Sequence, residues 1–362
     1  MSFEEQSQIG TPQTHGISIK QINRLKILGI VLTLCGIALF SYFLYSVGVG
    51  ELLDNITRFG LFGFGVILFI HACKIMLRSF AWMLSVYEPY TLRFRDAFIA
   101  VIIGESVSSI VPLGILASGT AKAIAARKRV PLVVGLSSVA TENLFYSVTT
   151  SFFLIFGAFA FLRVSELDEN IAVAIDVLIV LMAAAVGFLI LLVIRQWHFA
   201  SEACEWLYKR GFARRLLKPG RMQVRLFENL IYGYYRRYPK RFLPICLLES
   251  GFHLLGVIEV WFILSRVIDK IPSLTTAFMF ESVSRLLTIV FKLVPFLVGI
   301  DEAGARFVTE TVALGAAIGL TLAIIRKGRT LFWAAVGLLI MIKRGLNLKD
   351  MRKIDATEET AA

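Results

Sequence analysis

The chain has 362 residues, is 57% hydrophobic, and carries a formal net charge of +12 with a mean hydropathy of +0.74. Uncharged apolar runs this long exclude a soluble domain and point to a polytopic membrane protein. The positive charge does not mark a nucleic-acid binder: 12 Lys/Arg and 3 Asp/Glu lie between Arg195 and Arg241, so this one segment supplies +9 of the +12. A basic block between two spans reads as a cytoplasmic loop facing anionic lipid.

Residues 1–26 form a polar tail, and Lys20, Arg24 and Lys26 stand directly before the first span, which places the N-terminus in the cytoplasm. Leu28–Gly50 is free of charge over 23 residues, enough to cross a hydrocarbon core of about 30 Å. Its length and the lack of a small-residue cleavage pattern read as an uncleaved helix. A second span covers Leu61–Val86 and sets His71, Lys74 and Arg78 at i, i+3 and i+7, on one helical face. Snorkelling to the cytoplasmic end competes with function for Arg78, whereas Lys74 sits deeper.

Ala97–Ala121 contains Glu105, Pro112, Gly114 and Gly119, with Arg93 and Arg95 before it and Lys122, Arg127, Lys128 and Arg129 around its end. Basic flanks on both sides describe a segment that enters and leaves on the cytoplasmic face, broken at Pro112; a Pro-kinked complete span is the alternative. Pro131–Leu162 carries Glu142 and leads to an acidic external loop (Glu166, Asp168, Glu169), after which Ile171–Ile194 returns. Within residues 195–241, Met222, Leu226, Leu230 and Tyr234 recur every fourth residue, the pattern of a helix lying on the inner leaflet as a topology anchor or a lipid-recruiting surface. Leu243–Ser265 crosses outward with Glu249, His253 and Glu259 inside it, and Glu249 and His253 are spaced to bond each other.

The chain is organised around Phe278–Phe307, an oily stretch interrupted by Glu281, Arg285, Lys292, Asp301, Glu302 and Arg306, with Pro295 and Gly299 at its centre. A charge at the bilayer centre costs about 2.5–3.5 kcal/mol on insertion scales, so such residues pair, face a cavity or work. Glu281–Arg285 and Glu302–Arg306 are i, i+4 pairs in the favourable order, which leaves Lys292 without a partner at helical spacing. Phe307–Ile325, the basic patch Arg326–Lys327–Arg329, the run Leu331–Ile342 and a polar tail over 346–362 complete the chain.

Glu-Ser-Val-Ser occurs at Glu105–Ser108 and again at Glu281–Ser284, an offset of 176, and each copy opens a Pro-containing apolar segment. Upstream of each lies a span with a histidine (His71, His253) and a later Trp and Ser (Trp82–Ser85, Trp261–Ser265). The expected fold is therefore an all-α polytopic membrane domain over 27–345, with about 7–9 transmembrane segments and two Pro/Gly-broken, re-entrant segments in an inverted repeat. Strict inversion conflicts with the basic C-terminus (Lys343, Arg344, Lys349, Arg352, Lys353), which it would leave outside, unless the last short run is not a full span or one of the two broken segments crosses.

Val294-Pro295-Phe-Leu-Val-Gly299-Ile-Asp-Glu302, with Pro112, Gly119, Lys122 and Glu142 in the first half, resembles the Pro…Gly-x-x-Glu signature of flippase-like proteins related to the transmembrane region of lysylphosphatidylglycerol synthase. Thr120 and Asn143 depart from that pattern, and substrate identity does not carry over with it. The resemblance implies lipid translocation without lipid modification, since only a short tail follows Ile342.

The functional expectation is a flippase for an anionic or polar-headed lipid in a bacterial-type cytoplasmic membrane. Lys74, Arg78, Lys122, Arg285, Lys292 and Arg306 would bind the head group, because buried cations suit phosphate. Glu105, Pro112, Glu142, Glu249, His253, Glu281, Pro295, Gly299, Asp301 and Glu302 would couple or gate. A lipid-modifying integral enzyme lacks HExxH, GxSxG or a second carboxylate cluster, and a scaffold subunit would use Gly315 and Gly319 for packing. Four cysteines without CxxC spacing predict neither disulfide nor metal site, and no cofactor is expected.

Overall fold

The computed structural model describes residues 38, 41, 42, 45, 49–110, 114–164, 169–195, 199–210, 229, 232–291 and 294–344. Most of the first expected span, Pro112, the loop residues Glu166 and Asp168, the amphipathic positions Met222, Leu226 and Leu230, Lys292 and the C-terminal tail lie outside them. The described residues are helical, with no strand among them.

Helix α1 (Val49–Leu84) bends at Gly60, where φ is 66° and ψ 173°, a conformation open to a residue without Cβ. Helices α2 (Phe94–Ile110) and α3 (Gly114–Ala126) fold back on each other. Gly104 permits that approach: a Cβ there would stand 2.7 Å from Lys122 Cγ and 3.0 Å from Ser118 Oγ. The open ends of the hairpin meet where Arg129 donates to Asp96 at 3.3 Å. Helices α4 (Leu132–Val164), α5 (Glu169–Arg195), α6 (Phe199–Lys209) and α7 (Phe242–Val267) follow.

A second hairpin joins α8 (Leu274–Val290) to α9 (Ile300–Thr311) through the short 3-10 turn Pro295–Leu297. Phe296, Leu297 and Gly299 there have φ of 53°, 49° and 81°. Gly304 lets the arms close, since a Cβ on it would overlap Leu287 Cδ1. Helix α10 (Ala316–Lys343) ends the described chain. Gly50–Leu84, Leu132–Leu162 and Pro239–Val267 are each long and apolar enough to cross a membrane.

The two hairpins enter from opposite ends. Arg344, closing α10, lies 4.0 Å from Asp96 at the mouth of the first hairpin, and the same end holds Arg241, whose Nη1 donates to the Val86 carbonyl at 3.2 Å. There too the Tyr234 hydroxyl, pushed up to about 12 by burial and so a steady donor, bonds the Leu84 carbonyl at 2.6 Å, supplying one of the partners that a helix end lacks. Arg58 reaches Asp269 at 3.2 Å at the far end, where the second hairpin begins.

Packing between the halves is reciprocal. Helix α1 lies along α7; α2 packs on α10, and α8 packs on α4. The repeated tetrapeptide makes both of the latter contacts. Ser106 lies against Gly337, where a Cβ would overlap its Oγ and come within 2.8 Å of its Cβ; Ser282 lies against Gly157, where a Cβ would overlap both side-chain atoms. Each hydroxyl bonds back to its own helix, to Ile102 O and Phe278 O, both at 2.8 Å, and that of Ser106 also lies 3.2 Å from Trp333 O on α10.

One expectation is corrected here. Arg326, Lys327 and Arg329 do not separate two apolar runs but lie within the single helix α10. Their charges meet buried carboxylates, so the helix continues through them. With one helix in place of two runs, the basic end of α10 falls beside the mouth of the first hairpin.

Candidate functional site

A cavity of about 560 Å³ lies where the hairpins approach, and the turn Pro295–Leu297 packs against α2. Its wall takes His71, Lys74 and Arg78 from α1, Glu105 from α2, Lys122 from α3, Arg285 from α8, Asp301 from α9, and Arg326, Lys327 and Arg329 from α10. On α10 the lining positions Leu322, Ala323, Arg326, Arg329, Thr330, Trp333 and Ala334 follow three- and four-residue steps, the face of one helix. Hydroxyl groups of Ser108, Ser118, Ser147, Thr150, Ser284 and Thr288 add neutral donors and acceptors.

The cations share a smaller number of carboxylates. Glu142 accepts from Arg78 at 2.8 and 3.1 Å and from Lys122 at 3.3 Å. Glu281 accepts from Arg285 and from Arg326, each at 2.7 Å, and Arg326 also donates to Ser284 Oγ at 3.2 Å. Glu259 takes Lys74 at 3.5 Å on one oxygen and Arg329 on the other, with Arg326 3.8 Å away. Glu302 accepts the Gly299 N–H at 2.7 Å, closing the first turn of α9, and pairs with Lys327. Glu142, Glu259, Glu281 and Glu302 have no solvent exposure, and these contacts supply the pairing that burial of charge demands.

Phe252 gathers three of the cations. Lys74 Nζ stands 4.9 Å from its ring centre, and the Arg285 and Arg78 guanidiniums 5.0 and 5.6 Å; Arg78 also lies 4.8 Å from the Tyr146 ring. An aromatic face attracts cations without neutralising them.

Of the residues singled out in the sequence, Lys74, Arg78, Lys122, Glu105, Arg285 and Asp301 line this cavity, with Glu142, Glu281 and Glu302 as carboxylate partners of its cations. Glu105 pairs with His71 at 3.2 Å. Gly299 precedes α9, Pro295 opens the turn, and Pro112 and Lys292 lie outside the described residues.

Two pairings are corrected. Arg306 bonds Glu310 at 2.8 Å rather than Glu302, because the Glu302 carboxylate is turned back to Gly299 and across to Lys327. Arg306 is not among the lining residues. Glu249 does not bond His253: the imidazole meets Thr150 Oγ1 at 3.0 Å and is stacked between Tyr146 and Phe153, with ring centres 5.5 and 4.8 Å away.

Sequence reasoning left Glu259, Arg326, Lys327 and Arg329 out of the site. The available signal was that Arg326, Thr330 and Trp333 recur at i, i+4 and i+7, which a loop has no reason to maintain. Gly319 serves packing inside the chain, as a Cβ there would come 2.7 Å from Ala305 O, while Gly315 supplies a φ of 89° before α10.

Helices long and apolar enough to span a bilayer, enclosing a cavity walled by paired charges, define a multi-pass membrane protein. The chain belongs to the family described as the lysylphosphatidylglycerol synthase TM region, whose model matches residues 26–340. No curated protein and no solved structure matches it.

Proposed function

We propose that this protein is a flippase that carries an anionic, phosphate-bearing lipid head group between the leaflets of a bacterial-type cytoplasmic membrane. The observation that carries the reading is the cavity between the hairpin tips, with seven cations, Lys74, Arg78, Lys122, Arg285, Arg326, Lys327 and Arg329, in its wall. About 560 Å³ is within the range of small-molecule sites, at roughly 300–1,000 Å³. Guanidinium forks suit phosphate oxygens, and cations that share a carboxylate, as Arg78 and Lys122 share Glu142, can turn one bond to a ligand without leaving the carboxylate bare. Membership of a lipid-related membrane family supports a lipid as the cargo.

The reciprocal packing of α2 on α10 and α8 on α4 supports reading the halves as an inverted repeat, with the hairpins as broken re-entrant segments that meet near mid-depth. The basic residues Arg93, Arg129, Arg241, Lys343 and Arg344 gather at one end, which supports a cytoplasmic assignment for that end and for the N-terminus. Rocking of the two halves around the cavity then exposes it to each leaflet in turn.

The test is reconstitution into phosphatidylcholine vesicles holding a trace of tail-labelled phosphatidylglycerol, with quenching of the outer leaflet by dithionite. Wild-type protein is expected to expose the inner-leaflet label as well, and Arg78→Gln with Lys122→Gln to slow that step. Inner-leaflet label that stays protected, as in vesicles without protein, overturns the proposal.

A further inference from the structure

Glu249 differs from the carboxylates that hold the site together. It is fully buried on α7, and neither of its oxygens has a hydrogen-bond partner among the described residues. Glu142, Glu259, Glu281 and Glu302 each face at least one cation at bonding distance. The groups that act on Glu249 through space come from three other helices: Arg78 on α1, Lys122 on α3 and Glu142 on α4. On its own helix Cys246 feels its charge from the turn before, and His253, on the turn after, is bonded to Thr150. Arg78 and Lys122 line the cavity, and Glu249 is not among the lining residues.

A buried carboxylate without a partner is costly as an anion, and no bond holds this one in a single protonation state. After burial and the Glu142 carboxylate, which both disfavour its charge, the opposing influence on it comes from two cations that a ligand in the cavity would engage. We propose that Glu249 is the proton-exchanging residue that couples head-group binding to the transmembrane proton gradient. When a lipid phosphate settles on Arg78 and Lys122, it adds negative charge beside Glu249 and weakens the hold of those cations on it. A nearby anion favours the neutral form of a carboxyl group, so a proton passes from water to a Glu249 oxygen as the head group binds, and returns to water as it leaves. Linkage makes the effect mutual: protonated Glu249 strengthens head-group binding by the factor by which the head group strengthens protonation. The inference rests on the transport reading above.

The test uses the full-length protein in phosphatidylcholine vesicles with tail-labelled phosphatidylglycerol, with translocation followed with and without an imposed pH gradient. The wild-type rate is expected to respond by about fivefold or more, the low end for two coupled sites. Glu249→Gln is expected to move lipid at one rate whatever the gradient, and Glu249→Asp to recover the response. Wild-type transport indifferent to the gradient, or a Glu249→Gln response equal to that of wild type, overturns the coupling and leaves the transport reading standing. Absence of translocation by wild type overturns both.

Should Glu249→Gln fail to fold, a carbodiimide that attacks protonated carboxyl groups tests the unmodified protein, with the adduct mapped by mass spectrometry. An adduct on Glu249 that increases in phosphatidylglycerol over phosphatidylcholine supports the assignment. No adduct on Glu249 in either lipid overturns it.

Discussion

Neutralising Glu259 should cost far more stability than neutralising the lysine that it faces. Glu259 has no solvent exposure and holds three cations: Lys74 on one oxygen, and Arg329 with the more distant Arg326 on the other. Among the described residues, Glu259→Gln removes the one anion that Arg329 contacts, and the Arg329 Nε already has no partner. Stranding a buried charge in this way costs about 3–5 kcal/mol. Lys74→Gln leaves Glu259 with both guanidiniums and gives up its contact at 3.5 Å, worth roughly 1.5–3 kcal/mol for a bond between charged groups, together with the weaker approach to the Phe252 ring. The ordering, with a gap of about 2 kcal/mol, follows from the number of partners and not from the chemistry of the pair. Chemical unfolding in detergent, followed by the fluorescence of Trp82, Trp261 and Trp333, reads both variants. The double variant should fall short of the sum of the two, because the partners share one network. A Lys74→Gln protein at least as unstable as Glu259→Gln would refute the reasoning.

Gly157→Ala and Gly337→Ala should each destabilise the protein by about 1–3 kcal/mol through overpacking, with Ser282→Gly restoring the first and Ser106→Gly recovering the second only in part, since Ile102 O would still lie 2.9 Å from the new Cβ; thermal unfolding midpoints check this, and unchanged midpoints in both single variants count against the helix contacts described. Phe252→Leu removes the ring on which Lys74, Arg78 and Arg285 converge. At about 0.5–1 kcal/mol per contact, the three together should weaken phosphatidylglycerol binding by about tenfold or more. Unaltered affinity in a titration with short-chain phosphatidylglycerol would show that the ring does not position the cations.

Features set by local spacing were legible in the sequence. His71, Lys74 and Arg78 share a helical face because of their spacing, and Glu281–Arg285 pair as i, i+4 neighbours do. The doubled Glu-Ser-Val-Ser pointed to two segments of one design, and the second residue of each copy makes a matching contact. Partner choice over long range was not legible. Glu302 had a sound local candidate in Arg306, but Lys327, 25 residues on, took it because α10 crosses α9 there. Arg326, Lys327 and Arg329 read as a basic patch between two apolar runs because a run of cations is costly in lipid, and the carboxylates that offset the cost, Glu259, Glu281 and Glu302, lie on α7, α8 and α9. Glu249 and His253 are correctly spaced to bond, yet the aromatic rings of α4 hold the imidazole on another side.

The exchange of seats between the halves also bears on how the molecule is made. Helix α2 packs on α10, the last described helix to be synthesised, so the first hairpin waits for its neighbour while α4 through α9 are produced. During that interval the face of Ser106 that will meet Gly337 is uncovered. Its hydroxyl is already bonded within its own helix, to Ile102 O, so the waiting hairpin shows lipid a small, satisfied surface. The serine that lets two helices touch in the finished protein also lets one of them persist alone until the other arrives.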